Sequence, residues 1–148
     1  MAASRRRKTY PWGMMRPRLR LRETSQRLRK ALAAAGEGGF ERLAGRVKAV
    51  VGAARPLVDT LDYLSGAGLP STEGNAPVMH TEVATAVHAT RAAVGELATA
   101  SVQSLSERYG ALSDALGALL DVSDQVVERG IAPSASGVDS DPWKVFGV

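Results

Sequence analysis

The sequence predicts an all-α protein: an amphipathic helical hairpin, with helices at about 40–64 and 76–129, a short preceding helix, and extended N- and C-terminal tails. Three observations predict it. Apolar residues recur at threes and fours through two long segments. Stretches rich in Gly, Pro, Ser and Asn separate those segments. Large side chains are scarce, with seven aromatics in 148 residues, so close helix packing through Ala and Gly suits the supply better than a bulky core.

The elements follow in chain order. Residues 1–23 read as a basic extended arm, because Pro11, Gly13 and Pro17 interrupt any helical period and "RLRLR" at 18–22 alternates with period two. From Thr24 or Ser25 the period turns helical, with Leu28, Ala31, Leu32 and Ala35 on one face, until Gly36 opens the loop "GEGG". Phe40, Leu43, Val47, Val50, Val51, Ala54, Leu57, Val58, Leu61 and Leu64 form the first long stripe. Pro56 lies inside that stripe, and the missing N–H predicts a kink or break near Ala54–Arg55. Residues 65–77 read as a loop, and Asn75 is placed to cap the next helix with Pro77 in its first turn.

That last helix, 76–129, would be about 80 Å long at 1.5 Å per residue. Leu105, Tyr109, Leu112, Leu116, Leu119, Val122 and Val126 form its packing seam. Gly95, Gly110 and Gly117 mark places for a bend or for close approach of a partner helix. Gly130 and Pro133 stop the element. The helical domain thus spans 24–130, and 131–148 is a linker with an aromatic-containing tail. Two amphipathic helices cannot dry both of their stripes alone, so either the short first helix lies across them or another copy docks, and a homo-oligomer or larger protein assembly is the favoured expectation.

Charge divides the chain. Residues 1–30 hold eleven Arg or Lys against Glu23 alone, a balance of +10, and the remaining 118 residues carry −6. A basic arm on an acidic body points to an anionic partner. The residues assigned to it are Arg5, Arg6, Arg7, Lys8, Arg16, Arg18, Arg20 and Arg22. Guanidinium density favours nucleic acid, bound through its backbone because no base-reading motif is present. A membrane surface is less favoured, since no basic helix of large amphipathicity supports it. The acidic body of a neighbouring copy is a third partner. Tyr10, Trp12, Trp143 and Phe146 fall outside the predicted helices and are assigned to partner docking, with self-packing on the body as the alternative.

Catalytic patterns are missing. His80 and His88 stand eight residues apart, about 12 Å along a helix, too far to share a metal ion. The acid pairs Asp59/Asp62 and Asp121/Asp124, with Glu128, read as solvated helix faces. Ser101, Ser104 and Ser106 lack a nucleophile turn, and no phosphate-cradling loop occurs. No cofactor, metal or small-molecule substrate is expected. Without cysteine, neither disulfides nor thiolate ligands arise.

No stretch approaches the ~18–20 apolar residues of a membrane span. No apolar region follows the basic start, so a secretory signal is not expected either, and an intracellular or virion location is favoured. The stretch "LSGAG" at 64–68 fits the aliphatic-x-Gly-x-Gly form cleaved by adenoviral maturation proteases, a match that 15 glycines readily produce by chance. A basic arm on a helical body is similar in plan to many small structural proteins of DNA viruses and phages, a likeness that covers no aligned residues. The expected function is non-enzymatic: a structural or assembly protein, as in a viral or phage particle or nucleoprotein. The alternatives are an adaptor that captures a partner helix, or an organellar helical protein with a cleaved basic presequence.

Overall fold

The computed structural model describes residues 10–36, 43–71 and 74–133. It is all-helical: α1 (Pro17–Ala35), α2 (Leu43–Ala67), α3 (His80–Ala98) and α4 (Leu105–Arg129), with no strand among the described residues. The predicted all-α class stands, and the predicted hairpin is corrected to four helices. α1 packs on α2 and α3 on α4. The two pairs close on each other through α2 with α3 and α1 with α4. The start of α1, the end of α2, the start of α3 and the end of α4 meet at one end, giving an up-down-up-down bundle.

α1 begins at Pro17, not near Thr24, and it is not short. Proline at the first helical position has no N–H to lose and a preset φ. The alternating "RLRLR" is therefore helical: Leu21 is fully buried while Leu19 faces out. The buried face is Leu21, Thr24, Ser25 and Leu28, at the i, i+3, i+4, i+7 spacing of a helix but with two hydroxyls in it, and Ala35 continues it in the last turn. Thr24 satisfies its hydroxyl on the Arg20 carbonyl at 2.8 Å, and Ser25 bonds Ser123 of α4 at 2.8 Å. These bonds remove the cost of burying polar groups.

α2 runs unbroken through Pro56, correcting the expected break. Ala54, Leu57, Val58 and Leu61 on either side are buried, and that packing outweighs one lost backbone bond. Gly68, at φ +81°, ends the helix by donating its N–H to the Leu64 carbonyl at 2.7 Å.

The predicted 76–129 helix is two helices, and none of its glycines divides it. The break falls at 99–104, where Ser101 and Ser104 exchange bonds: each backbone N–H donates to the other's hydroxyl, at 3.0 and 3.2 Å. Side chains that satisfy the local backbone offer it an alternative to the helix. The start also differs. Asn75 is not the cap; Met79 occupies that position without a side-chain bond. Val78 is instead held in a bridge, donating to Gly130 at 3.1 Å and accepting from Ala132 at 2.9 Å.

This bridge is part of a clasp at the closed end of the bundle. Leu69 and Ile131 exchange two backbone bonds, both 3.0 Å, while Arg129 donates to the Ala76 carbonyl at 2.9 Å. The seam lies inside the single chain. Leu112, Leu116, Leu119 and Val126 are fully buried among residues of the other helices, and Leu105 and Tyr109 are half-buried at its open end. α1 and α3 supply the cover, so a second copy is not needed to dry it.

Candidate anionic-partner interface

The basic residues of α1 follow from its geometry. One half of the helix is committed to the core, so its many cations crowd onto the other half. Residues 16–35 hold seven Arg or Lys against Glu23, a balance of +6. The structure separates these cations by what they touch.

Three are engaged within the fold, and a fourth is partly enclosed by it. Arg18 donates from Nε to the Val127 carbonyl at 2.9 Å and from Nη2 to the Pro70 carbonyl, pinning α1 to the C-terminal end of α4. A cation there also meets the negative end of the helix dipole. Arg29 pairs with Asp124 across the α1–α4 contact at 2.5 Å, and Arg27 pairs with Glu23 one turn away at 2.8 Å. Arg20 is half-buried, with its Nε enclosed and unpartnered.

Arg16, Arg22 and Lys30 are exposed and form no ion pair among the described residues. At 3.6 residues per turn they share one outward arc of roughly 120°, spread over about 21 Å of helix. Of the eight predicted anion-binding residues, the structure therefore leaves Arg16 and Arg22 free, draws Arg18 into the clasp and half-buries Arg20. Arg5, Arg6, Arg7 and Lys8 lie outside the described residues, as do Trp143 and Phe146.

The predicted docking aromatics Tyr10 and Trp12 fold back onto α2. Tyr10 and Gly13 exchange backbone bonds of 2.9 and 2.8 Å around Pro11 and Trp12, with Gly13 at φ +100°. The Tyr10 and Trp12 rings stack with centroids 5.0 Å apart, and Trp12 Nε1 donates to the Met15 carbonyl at 2.6 Å. Tyr63 of α2 meets both edge-on, at 6.1 and 5.3 Å. Sequence reasoning missed Tyr63, which stands off the apolar stripe of α2 and is 36% exposed. A lone aromatic on the polar side of a helix was the signal for it.

α4 presents the opposite sign. It carries two basic and five acidic residues, and Glu107, Asp114, Asp121 and Glu128 fall at seven-residue intervals on its exposed face. Between α2 and α3 lies an open groove of about 430 Å³, with Val51, Val58 and Val94 along its floor and Arg55, Asp59 and Arg91 at its rim. Tyr109, half-buried at the seam, has its phenol pKa raised by loss of solvent.

The residues considered for catalysis do other things or stand apart. Asp62 pairs with Arg91 at 3.2 Å, Asp124 with Arg29, and Ser101 with Ser104 in the α3–α4 turn. His88 is exposed and His80 half-buried with Nδ1 enclosed. Among the described residues no three His, Cys, Asp or Glu side chains converge on a position for a metal ion, and no helix is long and apolar enough to cross a membrane. The "LSGAG" stretch is the last turn of α2 and its cap, with Leu64 buried. No family model, curated protein or solved structure matches the chain.

Proposed function

We propose that this chain is a non-enzymatic structural protein that fastens a helical bundle to nucleic acid within a larger assembly, such as a viral or phage particle or a nucleoprotein. The observation that carries the reading is the row of free cations, Arg16, Arg22 and Lys30, on the outward face of α1. Carboxylates within the fold neutralise Arg27 and Arg29, while these three have no ion-pair partner among the described residues. In sequence they follow the Arg5–Lys8 run, which adds four cations to the same end of the chain. Arginine grips phosphate in a two-point fashion, which favours nucleic acid over a diffuse anionic surface. The acidic face of α4 gives neighbouring copies a place to attract one another's basic elements, so self-association is expected to weaken in salt.

The test is fluorescence anisotropy of the full chain with a labelled duplex, with anionic vesicles and polyglutamate as competitors. Duplex binding that neither competitor displaces at equal charge supports the reading. Preferential capture by vesicles or polyglutamate contradicts it. The α2–α3 groove favours a second reading, an adaptor that receives a partner's apolar side chains, for which binding would persist in high salt.

A further inference from the structure

Where α1 begins, a notch of about 340 Å³ opens between Pro17 and the end of α2. Tyr10, Tyr63 and Pro17 wall it, with Leu64, Gly68 and Pro70 among its other lining residues. Its aromatic wall is held in advance. The Tyr10–Gly13 turn fixes the backbone, Trp12 backs the Tyr10 ring, and the Trp12 indole is tied to Met15. A ligand arriving there has few rotamers to order.

Two cations neighbour its lining residues in the chain or by a bond. Arg16 directly precedes Pro17 and is free, while Arg18 donates to the carbonyl of Pro70. Fixed aromatic rings beside arginines are what sequence-tolerant recognition of unpaired bases requires, because every base has a π-face and every nucleotide a phosphate. A duplex satisfies the cations but keeps its bases stacked away from the rings.

We infer that the notch takes one unpaired nucleobase of a single-stranded nucleic acid, laid against the Tyr10–Tyr63 wall with its phosphate toward Arg16. This rests on the nucleic-acid reading above and narrows it to strands that offer an unstacked base. Base identity is not read there, since no base-edge contact is invoked.

The test compares, with the full chain and by anisotropy, labelled oligo-dT, an abasic oligomer of equal length and charge, and a duplex. Oligo-dT is expected to bind roughly tenfold to hundredfold more tightly than the abasic oligomer. Tyr63→Ala should abolish that difference, and Tyr63→Phe should keep it. Equal affinity for oligo-dT and the abasic oligomer overturns the notch while leaving backbone attachment standing. Failure to bind any of the three overturns both. A proline-rich peptide that competes for the notch when oligo-dT does not would make it a peptide site and overturn the inference.

Discussion

Gly130→Ala tests the clasp that closes the bundle. Gly130 has φ +72° and ψ −174°, a region essentially reserved for glycine, where a side chain costs about 1–3 kcal/mol in backbone strain. An added Cβ would also lie 2.4 Å from the Leu69 carbonyl oxygen and 2.7 Å from that of Pro70. Both are backbone atoms and cannot swing aside. Opening the approach from 2.4 Å to beyond 3.0 Å pulls on the Leu69–Ile131 and Val78–Gly130 bonds. Loss of two such bonds adds about 1–3 kcal/mol.

The total, about 2–6 kcal/mol, is a large part of the ~5–15 kcal/mol of a small domain. Urea denaturation followed by circular dichroism should show a midpoint well below that of the parent, with unchanged slope. Gly95→Ala is the paired control. It lies on an exposed face of α3 with nothing within 4 Å of the added carbon, so it should stabilise by roughly 0.5–1 kcal/mol. A loss under about 0.5 kcal/mol for Gly130→Ala would refute the clasp.

Three further outcomes are expected. Leu116→Ala, at a fully buried seam position, should cost about 2–5 kcal/mol by denaturation, and Leu116→Asp should unfold the monomer. Ser25→Ala or Ser123→Ala alone should cost about 1–3 kcal/mol by stranding the partner hydroxyl, while the double variant should recover much of the loss. Tyr109 stays protonated longer in the folded than in the unfolded chain, so its contribution is complete below the ordinary phenol range. It is lost as pH climbs above about 10. Thermal melts should fall over that range, and Tyr109→Phe should flatten the fall.

The four helices differ in how plainly the sequence declared them. α2 and α4 were legible because Leu and Val carry their stripes. α1 was legible from Thr24 onward, but its first turns were hidden because Leu21 is followed on the buried face by Thr24 and Ser25, hydroxyls that look solvated until Ser123 is brought alongside. The turn at 99–104 was hidden because its hydroxyl pairing competes with a helix that Ala and Val would otherwise continue. The cations themselves were legible, but not which of them stay free. Arg18 is bound by carbonyls 52 and 109 residues away, a distance no local pattern encodes. Tyr63 joined Tyr10 and Trp12 only once α1 had folded back along α2.

The salt dependence of duplex affinity bears most directly on the role given to α1. Arg5–Lys8 with Arg16, Arg22 and Lys30 make seven cations, for which log K should fall against log salt with a slope of about −6. Replacing Arg16, Arg22 and Lys30 by Gln should bring the slope to about −4, with helix content unchanged. A slope identical in parent and variant would show that α1 does not touch the polyanion, and would contradict the account.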